Sequence, residues 1–94
     1  MKVTVRLAPV LRDLAGGAGN VEVELADGAT VADALDALAA VHPGVGRRVR
    51  DEQGEVRRHV NVFAGADNIR DLSGQQTPLA DSAELSILPA ISGG

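Results

Sequence analysis

The chain contains one strong helical pattern, Thr30-Val31-Ala32-Asp33-Ala34-Leu35-Asp36-Ala37-Leu38-Ala39-Ala40-Val41-His42. Its apolar residues recur at the spacing that places side chains on one face of an α-helix. Thr30 is a favourable N-cap, and Asp33 and Asp36 suit the positive N-terminal half of a helix. The helix is predicted to end near His42-Pro43-Gly44. Its buried stripe should consist of Val31, Ala34, Leu35, Leu38 and Val41.

Segments with apolar residues at every second position flank this helix and predict the sheet that it covers. The predicted strands span residues 2–8, 21–25, 56–64 and 83–88, with a short additional segment at 68–70. Residues 46–55 are polar and rich in turn formers, so we expect a connection or a weak helix there.

The predicted order is strand, strand, helix, strand, short strand, strand. One helix must therefore cover one face of one mixed sheet, because no other segment has a long apolar stripe. The crossover through the helix lets the last strand lie beside the first and parallel to it. We predict an α+β fold of the β-grasp, or ubiquitin-like, architecture, with four to five strands under one main helix.

Composition excludes several classes of function. The 94 residues suffice for one domain with a modest core, and the absence of cysteine excludes disulfides and thiolate metal sites. A net charge of −4 and a single aromatic residue, Phe63, argue against nucleic-acid and anionic-membrane binding. No apolar run approaches the roughly 20 residues of a transmembrane helix, and Met1 leads directly into a strand, so the expected compartment is the cytoplasm.

The chain closes with Ile87-Leu88-Pro89-Ala90-Ile91-Ser92-Gly93-Gly94, an apolar strand followed by a proline and a diglycine. We predict a domain over 1–89 and an extended tail over 90–94. The Gly94 carboxylate is the one group that suggests reactivity, and it becomes a good electrophile only after a partner adenylates it. Glycine has no Cβ and fits a narrow channel, and five extended residues reach roughly 16 Å at about 3.3 Å each. The residues predicted to thread into such a channel are Pro89, Ala90, Ile91, Ser92 and Gly93.

A second interpretation of the same residues stays open. Chain ends are commonly small and polar, so a terminal diglycine can be a frayed end or a processing remnant with no chemical role.

The sheet face away from the helix offers a predicted docking patch. If Val60 and Val62 face the helix, alternation places His59 and Phe63 on the open face, together with Arg6 and Leu88. Protein interfaces favour an aromatic centre with a polar rim, so these four residues are predicted to contact a partner. The alternative is that a β-bulge shifts the register and buries Phe63 in the core.

The only concentration of basic residues lies within 47–58. It could steer an acidic partner, but an exposed run of charges is more often a solvated face, and we favour that interpretation. The arginines are Arg47, Arg48, Arg50, Arg57 and Arg58.

Three stretches resemble the ThiS/MoaD family of sulfur-carrier proteins, and most of all its CysO-type carriers of cysteine biosynthesis. They are Val60-Asn61-Val62-Phe63 with Ile69-Arg70, Thr77-Pro78-Leu79-Ala80-Asp81, and the closing run 85–94. Strand, proline and terminal diglycine together are more specific than a diglycine alone, and the resemblance covers nearly the whole chain. One departure is Gly65-Ala66-Asp67, where many relatives have an Asn-Gly pair. We expect the geometry of this turn to differ from theirs and the fold to be the same.

The resemblance implies a protein cosubstrate, not an enzyme. An E1-like enzyme of the MoeB/ThiF type would adenylate Gly94 with ATP and magnesium, and sulfur would replace the AMP to give a thiocarboxylate. The carrier would bring no cofactor or metal of its own. In the CysO branch the acceptor would be a PLP-dependent cysteine synthase, and a zinc metalloprotease would release the cysteine.

Other functions remain open at this point. Within the family, the acceptor could instead be the molybdopterin precursor, the thiazole of thiamin, or a sulfur-containing natural product. Of another class, a ubiquitin-like modifier would transfer the whole domain to a lysine. A plain binding module would use the sheet face and tolerate loss of both glycines.

Overall fold

The computed structural model describes residues 1–89, which form a five-stranded mixed sheet with helices packed on one face. The strands are β1 Lys2–Leu7, β2 Asn20–Glu24, β3 Val60–Ala64, β4 Asp67–Asn68 and β5 Glu84–Pro89. The helices are α1 Pro9–Arg12, α2 Val31–Val41 and α3 Pro43–Val49, with 3₁₀ turns at Asp13–Ala15, Ile69–Asp71 and Gly74–Gln76. Within the described residues, no helix has the length and apolar character needed to cross a membrane.

The sheet has the strand order β2-β1-β5-β3-β4. β5 runs parallel to β1 and antiparallel to β3, and the two outer pairs, β1 with β2 and β3 with β4, are antiparallel. This topology confirms the predicted α+β, β-grasp architecture. It places β5, the strand that leads to the predicted tail, between two neighbours at the centre of the sheet.

The helix α2 begins at a well-formed cap. The Asp33 carboxylate accepts hydrogen bonds from the Thr30 backbone N–H at 2.8 Å and from the Thr30 hydroxyl at 3.2 Å. Four members of the predicted stripe are buried: Val31, Ala34, Leu35 and Leu38. The fifth, Val41, is 61% exposed, so its assignment to the core is wrong. Directly after Val41 the chain turns at His42, and α3 begins at Pro43 and packs against α2.

The helix α3 extends into the segment 46–55, for which the sequence predicts only a connection or a weak helix. α3 has seven residues and places Val45 and Val49 in the core, where both are almost fully buried. Pro43 opens it in the first turn, where a missing N–H does not matter. The His42 carbonyl accepts hydrogen bonds from the N–H groups of Val45 and Gly46. Of the connection or weak helix expected over residues 46–55, the helical alternative is therefore correct for residues 46–49, which contribute to the core.

β3 is shorter than predicted. The prediction began the strand at residue 56, but residues 57–60 form a turn in which the Val60 N–H donates to the Arg57 carbonyl at 3.0 Å. Val56 instead forms an isolated bridge with Arg50. The expected short strand near residue 68 is β4, and the 3₁₀ turn after it buries Ile69.

Candidate functional site

The predicted tail follows directly from the central strand. β5 pairs with β3 from Leu85 opposite Ala64 to Pro89 opposite Val60. Pro89 is the last described residue and is exposed, so the chain lies at the protein surface at this point. The tail residues Ala90, Ile91, Ser92, Gly93 and Gly94 lie outside the described residues, and their predicted roles remain predictions.

The open face of the sheet carries three of the four predicted docking residues. Arg6, Ser86 and Phe63 lie in register across β1, β5 and β3, and Leu88 lies opposite Asn61. The β3–β5 register runs without interruption over all five pairs, so no bulge moves Phe63 into the core. Phe63 is half-buried and Leu88 is 42% exposed, which leaves apolar surface on this face.

Charge lies beside this apolar surface. The Arg6 Nε lies 2.9 Å from a carboxylate oxygen of Glu84, and about half or more of each side chain is exposed. An exposed ion pair of this kind stabilises the fold little and stays available to a partner. Arg6, Phe63 and Leu88 therefore share the open face as alternation predicts, and their contact with a partner stays a prediction.

His59 lies elsewhere than predicted. It precedes β3, in the turn 57–60, so strand alternation does not apply to it. It lines a cleft of about 420 Å³ that lies against the end of β5. The described lining residues are Val10, Leu11, Arg47, Arg48, Arg57, His59, Val60 and Pro89, and we refer to this feature as the basic cleft.

The arginine run divides into members with different environments. Arg50 is tied into the fold, since its guanidinium lies 2.6 Å from Asp36 and 3.2 Å from the Gln75 side-chain oxygen. The Arg57 Nε donates to the Arg47 carbonyl at 3.0 Å. Arg47 and Arg48 are exposed on the last turn of α3 and line the basic cleft. The sequence singled out the arginine run but did not predict a cleft. Residues from α1, α3 and β5 meet there only because of the fold.

Arg70 has a structural task that the sequence did not reveal. Its guanidinium donates to the Asn61 side-chain oxygen at 2.7 Å and to the carbonyls of Val60 at 2.8 Å and Arg57 at 3.1 Å. Asn68 also donates to the Asn61 oxygen, at 3.3 Å. This network fixes the turn that precedes β3, and so positions the strand that pairs with β5.

Comparison with known proteins gives a consistent result. The model of the ThiS family matches residues 5–94. The sulfur carrier protein CysO of Mycobacterium tuberculosis is 33% identical over 96 residues, covering all of both chains. Small archaeal modifier protein 1 of Haloferax volcanii is 40% identical over 84 residues, covering 87% of this chain and 92% of that protein.

Solved structures agree with this grouping. The crystal structure of the Haloferax modifier superposes with a TM-score of 0.85 at 33% identity over the whole of both chains. A chain from the crystal structure of the Amycolatopsis orientalis BexX/CysO complex superposes with a TM-score of 0.83 at 34% identity, covering 98% of this chain and 99% of that chain.

Proposed function

The chain belongs to the ThiS family, and on that premise we propose that it is a sulfur-carrier protein whose Gly94 carboxylate is converted to a thiocarboxylate. The observation that carries the proposal is the end-to-end match to the sulfur carrier CysO, which extends through the diglycine. The exposed end of β5 supports it, because a tail that starts there can leave the domain without disturbing the sheet.

The proposed chemistry has two steps and needs a partner for both. An E1-like enzyme of the MoeB/ThiF type brings ATP and magnesium, and a Gly94 carboxylate oxygen attacks the α-phosphate with loss of pyrophosphate. Hydrosulfide then attacks the acyl carbon and AMP leaves, which yields the thiocarboxylate. The carrier contributes the reacting carboxylate and the recognition surfaces, so it acts as a cosubstrate and not as an enzyme.

We further propose cysteine biosynthesis in the cytoplasm as the destination of the sulfur, by analogy with the CysO relatives. The acceptor would be a PLP-dependent cysteine synthase, and a zinc metalloprotease could release the product from the carrier. Those cofactors belong to the partner enzymes. The same thiocarboxylate could serve a molybdopterin synthase or a natural-product pathway, and each acceptor enzyme can be supplied in turn to the thiocarboxylated protein.

Intact-mass spectrometry tests the central step. The protein is incubated with ATP, sulfide and the E1-like enzyme of its own organism, and we expect a gain equal to the difference between one sulfur and one oxygen. A variant without Gly94 should show no gain, whereas Gly44→Ala, which leaves the whole tail unchanged, should behave like wild type. An unchanged wild-type mass with an enzyme that demonstrably hydrolyses ATP would refute the carrier proposal.

A protein-modifier function is the second candidate, favoured by the 40% identity to the archaeal modifier. It uses the same activated carboxylate but joins it to a lysine amine. Because no lysine or arginine follows Arg70, trypsin would leave residues 71–94 on a target, which complicates detection. The variant Ser92→Arg would instead leave a Gly-Gly remnant. Remnant-bearing lysines that depend on Gly94 would support the modifier function, and their absence alongside thiocarboxylate formation would support the carrier alone.

A further inference from the structure

The basic cleft holds a concentration of positive charge on an acidic protein. The chain has a formal net charge of −4 with histidine counted as neutral, yet three arginines, Arg47, Arg48 and Arg57, line this one cleft beside His59. Among its described lining residues there is no aspartate or glutamate. None of the ion pairs formed between residues 1–89 involves any of these four side chains.

The cleft is built and not merely a row of solvated charges. The Arg57 Nε–H is committed to the Arg47 carbonyl at 3.0 Å, at the C-terminal turn of α3. The Arg57 carbonyl in turn accepts from Arg70 at 3.1 Å. These bonds fix the Arg57 backbone and the base of its guanidinium, while the exposed Arg47 and Arg48 side chains line the same space. Holding the Arg57 guanidinium in advance lowers the ordering cost when it meets an anionic group.

The position of the cleft indicates what occupies it. Pro89, the last described residue before the tail, forms part of its wall. A protein that receives the tail in a channel would bring the rim of that channel close to Pro89, and so close to this wall. The cleft also offers apolar contact from Val10, which is 55% exposed. A mixed apolar and cationic surface of this kind fits a protein rim that carries carboxylates.

We propose that the basic cleft docks an acidic segment at the channel rim of the activating enzyme, and so orients the carrier with its tail toward the channel. This surface is separate from the open face that carries Phe63, since it lies at the end of the sheet between α1, α3 and the turn 57–60. The inference rests on the proposed function. Its electrostatic character predicts an association that weakens with ionic strength.

Charge reversal with a matched control tests the proposal. Arg48→Glu and Lys2→Glu each change the net charge by the same amount, but Lys2 lies at the opposite end of β1 and is paired with Glu22 at 3.5 Å. We expect Arg48→Glu to raise the Kd for the activating enzyme at least about tenfold, since it places like charges together, and Lys2→Glu to change it by less than about twofold. The neutral variant Arg48→Gln should lie between them and should reduce the salt dependence of binding.

The readouts separate this inference from the function it rests on. Thiocarboxylate formation by wild type is measured in parallel by intact mass, and unfolding curves establish that each variant is folded. Equal affinities for Arg48→Glu, Arg48→Gln and Lys2→Glu, with normal thiocarboxylation of wild type, would overturn the cleft proposal alone. No binding and no mass gain for wild type would overturn both. Loss of binding to a single-stranded oligonucleotide in Arg48→Glu, with enzyme affinity unchanged, would reassign the cleft to nucleic acid.

Discussion

At Gly46 the backbone of α3 lies close to Ala39 of α2. A Cβ added there would lie 2.5 Å from the Ala39 Cβ and 3.1 Å from the Ala39 Cα. Neither group can rotate away, because one is a methyl and the other is backbone, so the helices would have to separate. Helix propensity alone would favour alanine by about 1 kcal/mol, and the contact reverses that preference.

We therefore expect Gly46→Ala to lower the free energy of unfolding by about 1–3 kcal/mol, the range for overpacked cores. Gly44 provides the control in the same helix, since its added Cβ would meet Leu14 at an ordinary 3.5 Å. Gly44→Ala should be neutral or slightly stabilising. Urea unfolding of both variants measures the difference, and a Gly46→Ala protein as stable as Gly44→Ala would contradict the close crossing.

At the scale of elements, Arg70 joins the 3₁₀ turn Ile69–Asp71 to the start of β3. Its planar guanidinium reaches the Asn61 side chain and three backbone carbonyls at once, which a lysine ammonium on a flexible stem does not reproduce. Arg70→Lys is expected to destabilise the protein by about 1–2 kcal/mol through lost hydrogen bonds. Arg58→Lys, at an exposed position in the same turn, should change stability by less than about 0.5 kcal/mol. Thermal unfolding of both variants tests this prediction. Similar melting temperatures for Arg70→Lys and Arg58→Lys would show that the Arg70 guanidinium does not stabilise the turn before β3.

The elements that sequence predicted well are those with a regular apolar period. β1, β2, β5 and α2 follow alternation or helical spacing closely. The predicted docking residues Arg6, Phe63 and Leu88 share a face because alternation also holds within Val60–Ala64 of β3. The predictions are wrong where contacts between residues distant in sequence determine the local structure. Val45 and Val49 are one helical turn apart in a glycine-rich and arginine-rich segment. Their burial depends on elements distant in sequence, since α3 packs on α2 and on the 3₁₀ turn Asp13–Ala15. His59 left the strand pattern because Arg70, distant in sequence, fixes a turn there.

At the scale of the whole molecule, the two faces of the sheet differ in burial, and we expect substitutions on them to have different effects. Val62 is 1% exposed and faces the helices, whereas its neighbour Phe63 lies on the open face. Val62→Ala should cost stability in the range of 1–3 kcal/mol for a core truncation with little change in partner affinity per folded molecule. Phe63→Ala should lower the stability less than Val62→Ala does, but it should weaken binding to the activating enzyme at least about tenfold. Calorimetric titration with urea unfolding distinguishes them, and undiminished binding by Phe63→Ala would show that the open face is not the docking surface.

The central position of β5 also determines how the protein responds to a mechanical pull. A partner that draws on the chain beyond Pro89 applies force along the axis of a strand held on both sides, by β1 in parallel and β3 in antiparallel pairing. Such a force shears both ladders, so their hydrogen bonds resist together instead of opening one at a time from the end, as they would if an edge strand were peeled away. A motor or a closing channel can therefore tension this chain at Pro89 while the sheet behind it stays intact.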